Sequence, residues 1–330
     1  MKQNNHFPIL IIGAGIAGLT AAALLQEAGL PAMVLDKGRG VGGRMATRRF
    51  GNGRFDHGAQ YFTAREETFR QQVAAWQAAG VAGVWAHGFA AGDEAPVAGH
   101  PRYCGVTGMT AVPKHLAGAL DVRLQTRVTA VIREENHWLA QTESGQQFRG
   151  QALLLTPPVP QSLALLATGQ VHLPVDIERE LQALTYNPCL ALMVLLAGPS
   201  RLPAPGGLRP ENSKIAWIAD NHQKGISPDG HAVTIHATPA YSRRRWADDA
   251  AAIAAGLLQE ASTWLGPEIV EWQLHRWRYA QPTTTYAQPA LLLPGAPAVA
   301  FAGDAFGGPR VEGAALSGQA AAQALLSSLS

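Results

Sequence analysis

The feature that most limits what this chain can fold into lies in its first forty residues. The apolar run Pro8-Ile9-Leu10-Ile11-Ile12 leads without a break into Gly13-Ala14-Gly15-Ile16-Ala17-Gly18. A short apolar run bounded by glycine reads as a strand buried on both faces, as in a parallel sheet. The alanine- and leucine-rich stretch from Leu19 to Gly29 reads as a helix closed by a glycine. Ala32 to Leu35 reads as a second strand, and it ends at Asp36. Together they form a βαβ unit with a right-handed crossover. Each glycine has its own task there. Gly13 permits the tight turn, Gly15 lets the backbone approach a pyrophosphate, and Gly18 lets the helix pack close to the strand. The helix N-terminus then faces the phosphates, and Asp36 is placed to accept a hydrogen bond from a ribose hydroxyl. The spacing implies dinucleotide binding.

Two further segments extend this reading. Gly40-Val41-Gly42-Gly43-Arg44 follows Asp36 almost at once. Its adjacent glycines allow close approach to a second phosphate face, with Arg44 supplying charge-assisted hydrogen bonds. Near the other end, Phe301-Ala302-Gly303-Asp304-Ala305-Phe306-Gly307-Gly308 closes a strand from Ala298 and precedes a small-residue helix from Gly313 to Leu326. Asp304, after a glycine at a strand end, suits a hydrogen bond to a polyol chain. The last forty residues thus repeat the grammar of the first, so both chain ends belong to one lobe. Between them the spacing predicts helices over 66–79, 109–120, 175–184 and 248–265. Predicted strands cover 122–124, 128–133, 138–142, 147–150, 152–156, 189–196, 214–220, 232–238 and 271–277. Pro199 to Pro210 reads as loop, and Gly80 to Gly99 gives no firm pattern.

Composition excludes several classes. Charged residues make up 15% and hydrophobic ones 47%, which is incompatible with intrinsic disorder. A net charge of +2 without a long basic run gives no support for a nucleic-acid partner. No uninterrupted apolar stretch reaches the roughly 18 residues of a membrane span, and the run ending at Ile12 is too short for a signal peptide. Cys104 and Cys189, the two cysteines, form neither a disulfide framework nor a four-thiolate site and suit a reducing cytoplasm. The histidines fall in no HExxH or CxxC context, so no metal site is expected.

With these motifs in place, the chain resembles the renalase-like branch of the FAD-dependent amine oxidase superfamily, within the glutathione-reductase-like flavoproteins. Asp36 to Arg48, Asp56 to Thr63, His275 to Ala280 and Phe301 to Gly318 carry the resemblance. It implies an α/β chain in two lobes: an FAD-binding Rossmann fold and a mostly antiparallel α+β substrate lobe. The expected boundaries are 1–60, 105–160 and 290–330 for the FAD lobe, and 61–104 and 161–289 for the substrate lobe. The resemblance implies that Asp36 holds the adenosine ribose, Arg44 lies along the pyrophosphate, and Val128 binds adenine through its backbone. It also implies that Thr156 lines the cofactor cleft, Asp304 binds the ribityl chain, and Val311 and Glu312 pass near the isoalloxazine ring. Lys37, Gly43, Met45 and Gln60 complete the implied cofactor contacts. FAD is expected to be non-covalent, since no cysteine lies near the C-terminus.

The activity implied by the resemblance is oxidation of 2- and 6-dihydro isomers of NAD(P) to NAD(P)+, with O2 reduced to H2O2. Hydride transfer needs orientation and electrostatics more than acid–base groups. The candidate substrate residues are therefore aromatic walls and hydrogen bonders: Gln60, Tyr61, Trp217, His236, Trp277, Arg278 and Tyr279. Trp277 and Tyr279 share a face if the segment is extended. His57 and His236 also read as core histidines, and Tyr61 and Trp217 also read as ordinary packing. Two other functions stay open: a flavin oxidase acting on an amine or an unsaturated hydrocarbon, and a non-catalytic FAD-bound redox sensor or scaffold. The oligomeric state is left open as well.

Overall fold

The computed structural model describes residues 6–92, 99–266 and 268–329. They form two compact units, one of residues 1–43, 113–185 and 281–330, the other of residues 44–112 and 186–280.

In the first unit, β1 (His6–Ile12), α1 (Ile16–Glu27) and β2 (Ala32–Leu35) form the expected βαβ opening. The sheet has eight strands among the described residues. Its order is Leu291–Leu293, Ala298–Phe301, Gln147–Leu155, β1, β2 and Asp121–Arg123, with Val128–Arg133 and Trp138–Thr142 added as a meander. The five strands from Ala298–Phe301 to Asp121–Arg123 are parallel neighbours. Ile9 and Ile11 point into a core with Leu19 and Leu25 of α1 and with Ala321, Ala322 and Leu325 of the C-terminal helix Val311–Leu329. Leu10, between them, is also fully buried. A strand covered on both faces gives a continuous apolar run, which is why β1 is legible from composition alone.

The sheet of the second unit runs Ile269–Pro282, Tyr186–Leu196, His231–Ala237, Ile215–Asp220, Gly207–Arg209 and Ala90–Ala91. Alternation sorts its residues between two faces. Leu190, Leu192, Val194, Leu196, Val233 and Ile235 meet Ile253, Ala254 and Leu257 of the helix Ala250–Glu260 on one face. Met193, Leu195 and Ala232 meet Phe55 of the strand Gly53–Asp56 on the other.

The unit boundaries differ from the expected ones. Residues 44–60 and 105–112 belong to the second unit, and 161–185 and 281–289 to the first. The reason is long-range pairing. Asp56 accepts from the Met109 backbone N–H at 2.8 Å and binds Lys224 at 2.6 Å. In the first unit, the helix Val159–Thr168 packs on Val128–Arg133, and Thr283 N–H donates to the Thr185 carbonyl.

Several elements also shift. The strands expected at 147–150 and 152–156 are one, Gln147–Leu155. The helix of 109–120 shortens to Ala111–Ala117, and the last helix starts at Val311 rather than Gly313. The expected loop 199–210 contains the strand Gly207–Arg209. The unplaced stretch 80–99 contains Ala82–Ala86 and Ala90–Ala91, while its residues 93–98 lie outside the described residues.

Candidate functional site

The parallel strands of the first unit end together. Ile12 pairs with Leu35 and Leu155, and Leu155 with Phe301. The C-terminal edge of a parallel sheet is where such folds bind ligands. Gly13, Asp36, Thr156 and Asp304 all stand just beyond that edge. Gly13 has φ +106°, and a Cβ at Gly18 would lie 2.1 Å from the Gly13 carbonyl oxygen. Those two glycines are demanded by the protein's own turn. Gly15 is not: its φ is −77°, and a Cβ there would meet nothing within 4 Å. It is the N-cap of α1, makes no side-chain cap, and precedes a first turn free of acids. The first N–H groups of α1 and its positive end are therefore available to an external anion.

Asp36 ties this turn to β2. Its Oδ2 accepts from Ala14 N–H at 2.7 Å and its Oδ1 from Gly38 N–H at 2.6 Å. Each oxygen keeps lone-pair capacity for a ribose hydroxyl. Gly42 N–H donates to the Ala14 carbonyl at 2.8 Å, so the second glycine loop, with Gly43, docks on the first. A glycine-rich backbone turn with a carboxylate bonded to it fits an adenine dinucleotide.

The other expected cofactor residues vary in placement. Val128 opens the strand Val128–Arg133. Asp304 is buried after Gly303, whose N–H donates to Ser317 Oγ at 2.8 Å. Val311 and Glu312 form the first turn of the C-terminal helix. Thr156 donates its hydroxyl to the Ile12 carbonyl at 2.8 Å and so braces the Gly13 turn. Lys37 reaches Gln161 Oε1 at 3.3 Å on the surface. Arg44 opens the second unit, where its Nη1 donates to the Tyr279 and Ala280 carbonyls at 3.3 Å. Met45 is buried.

In the second unit one sheet face gathers most of the candidate substrate residues. His236 pairs across the sheet with Trp217. Gln60 Nε2 lies 3.5 Å from His236 Nε2, and the Trp217 ring is 5.9 Å from Tyr61. Trp277 donates from Nε1 to the His57 carbonyl at 2.8 Å and stacks on the His57 ring at 5.2 Å. His275 packs edge-on to both. Tyr279 continues this face and meets Tyr186 at 5.6 Å. Alternation puts Arg278 on the opposite, exposed face, 5.3 Å above the Trp246 ring, so it does not join Trp277 and Tyr279.

Burial holds the histidines neutral. The His57 pKa is lowered to about 3, first by burial and then by the His275, Arg48 and His236 charges. Burial likewise lowers His236 and His275 to about 4. The charges against the aromatic rings are cationic or paired, while Glu271 lies exposed further along the same strand face. Arg209 donates to the Tyr61 hydroxyl at 2.7 Å and stands over Trp217 at 5.8 Å. Arg102 lies 5.6 Å over Tyr61, and Lys224 lies 4.7 Å over Trp85 while binding Asp56. Trp85, Phe89, Lys224 and Asp56 escape the sequence reading as site residues. Asp56 at least falls in the Asp56 to Thr63 stretch that carries the resemblance, whereas Lys224 sits in no pattern.

Both cysteines lie in the second unit. Burial pushes the Cys189 thiol up to about 12, and Cys104 is also raised by burial. Neither offers the thiolate that a covalent flavin link requires.

Among the described residues, no helix is long and apolar enough to cross a membrane. Comparison with known proteins matches residues 11–76 to the NAD(P)-binding Rossmann-like domain and residues 84–326 to the flavin containing amine oxidoreductase family. Renalase of Mus musculus is 27% identical over 300 residues, covering 84% of this chain and 86% of that protein. A flavin-containing amine oxidase of Oncorhynchus mykiss is 49% identical over 47 residues, 14% of this chain and 9% of its own length. A putrescine oxidase variant shares the fold with a TM-score of 0.74 at 15% identity, over 98% of this chain and 99% of the other. The chain therefore belongs to the flavin containing amine oxidoreductase family, as an FAD-dependent oxidoreductase that holds its cofactor non-covalently.

Proposed function

We propose that this protein oxidises 2- and 6-dihydro isomers of NAD(P). The balance is dihydroNAD(P) + O2 + H+ → NAD(P)+ + H2O2. Bound FAD supplies the hydride acceptor and the route to dioxygen. The observation that carries the reading is the charge of the aromatic face. Arg102 and Arg209 stand over its rings, and its buried acid, Asp56, is bound to Lys224. Such a face attracts a planar ring attached to phosphates and repels an ammonium ion. The likeness to mouse renalase across most of the chain supports the same reading.

The second support is that this reaction asks nothing of the weak bases described on this face. A dihydropyridine regains aromaticity as hydride leaves, and no proton has to be removed from carbon or nitrogen. His57, His236 and His275, with pKa values of about 3 to 4, are weak bases at neutral pH. In this reading Trp277 and Tyr279 orient the ring and Gln60 binds a polar substituent. Amine oxidation is the second reading, and the family description backs it more directly.

Steady-state turnover separates the two. The dihydronicotinamide dinucleotides should give one peroxide per NAD(P)+, with kcat/KM falling as salt is added. The profile should show no histidine inflection between about pH 5.5 and 8, because all three rings are already neutral there. A diamine that turned over faster, with kcat/KM insensitive to salt, would favour the second reading.

A further inference from the structure

Buried polar atoms almost always find a partner, because leaving one unmet is costly. On the aromatic face of the second unit the unmet atoms include Gln60 Oε1 and Trp217 Nε1, along with His57 Nδ1 and Arg102 Nε. Gln60 and Trp217 are each 7% exposed. The orientation of the Gln60 amide follows from its neighbours. Its Nε2 donates to the Asp56 carbonyl at 2.5 Å and to the Gly58 carbonyl at 3.1 Å. Two carbonyl acceptors require the NH2 at that end, which leaves Oε1 as an acceptor. Trp217 Nε1 is a donor and nothing else. The two residues meet around His236, which lies 3.5 Å from Gln60 Nε2 and pairs directly with Trp217 across the sheet.

One acceptor and one donor on the same sheet face complement the two ends of a primary carboxamide. We infer that Gln60 and Trp217 read the carboxamide of a planar substrate. The amide NH2 donates to Gln60 Oε1, and the amide carbonyl accepts from Trp217 Nε1. Tyr61, 5.9 Å from Trp217, walls the ring that carries the amide. An N,N-dialkylated amide has no N–H for Gln60 Oε1 and adds bulk against it. Sites built to hydrogen-bond a polar group reject analogues lacking it far more strongly than apolar pockets reject a missing methylene. The inference rests on the dihydronicotinamide reading and assigns the part of that substrate which selects it.

The test uses the FAD-loaded protein and two neutral probes, nicotinamide and N,N-dimethylnicotinamide, titrated by perturbation of the flavin spectrum. The wild type should bind nicotinamide at least about tenfold tighter. In Gln60→Met and in Trp217→Phe the preference should fall to about twofold or less, with FAD content retained in at least one variant. Absence of a preference in the wild type, or its persistence in both variants, would overturn the inference. The two proposals fail separately. No dihydronicotinamide turnover with the preference intact would remove the reaction and leave the amide-reading pair. Turnover with equal affinity for both probes would remove the pair and leave the reaction.

Discussion

Gly15→Val is expected to give a folded protein that purifies without its yellow colour. Most glycine substitutions in a phosphate-binding turn damage the turn itself. Gly18 is the example here, since its Cβ would lie 2.1 Å from the Gly13 carbonyl oxygen. Gly15 differs. Its backbone, at φ −77° and ψ 177°, is open to any residue, and a Cβ there meets no protein atom within 4 Å. Valine is a poorer N-cap than glycine, which costs about 0.5–1 kcal/mol. That is too little to unfold a chain of this size. The added methyl groups instead occupy the approach of a pyrophosphate to the first N–H groups of α1. Flavin absorbance per polypeptide should fall to near zero, while the melting temperature matches that of wild-type protein stripped of FAD. A yellow Gly15→Val protein with a full complement of FAD would show that the cofactor does not lie on this turn.

Lys224→Met should cost the second unit a large part of its stability. The Lys224 ammonium and the Asp56 carboxylate are 2.6 Å apart, and both side chains are fully buried. Asp56 keeps hydrogen bonds from the Thr47 hydroxyl at 2.6 Å and the Met109 N–H at 2.8 Å. Without the ammonium it is left as a buried charge lacking a counter-ion. Breaking such a pair costs about 3–5 kcal/mol, or about 6–20 °C in melting temperature at roughly 2–4 °C per kcal/mol. Adding Asp56→Asn should return part of that loss, because the uncompensated charge is then gone. A single Lys224→Met variant that melts within about 1 °C of wild type would show that the pair contributes little to the fold.

What could be read from the sequence was local. The turn at Gly13, Gly15 and Gly18, the strand before it and Asp36 after β2 all lie close together in the chain, and each residue type reports its own backbone requirement. Trp277 and Tyr279 were placed on one face because a strand has a fixed period of two. The same period separates Arg278 from them, and this follows once the segment is known to be a strand. Lys224 was invisible because its partner is 168 residues away. A lone lysine in Asn221-His222-Gln223-Lys224 looks like a solvated loop residue. Trp85 and Phe89 fall in a glycine- and alanine-rich stretch whose short strands have little periodicity of their own. The division into units differs from the expected one for a related reason. The chain passes from the first to the second between Gly43 and Arg44, inside a glycine loop that reads as a single cofactor motif. Thr156 shows the converse: it stands at the expected sheet edge, yet its hydroxyl serves the turn.

The central claim is that the flavin is reduced by a dihydronicotinamide whose hydride leaves from beside the ring nitrogen. Anaerobic stopped-flow absorbance of the flavin band tests it most directly, with 2-, 4- and 6-dihydroNAD(P) and simple amines mixed one at a time. C2, C4 and C6 are mutually meta and equally spaced around the ring, so each isomer reacts only in an orientation that brings its own reduced carbon to the flavin. A displacement of about 1 Å can cost roughly a hundredfold in rate. The account predicts fast bleaching by the 2- or 6-dihydro form and bleaching at least about a hundredfold slower by the 4-dihydro form. Faster reduction by 4-dihydroNADH or by a simple amine would contradict it.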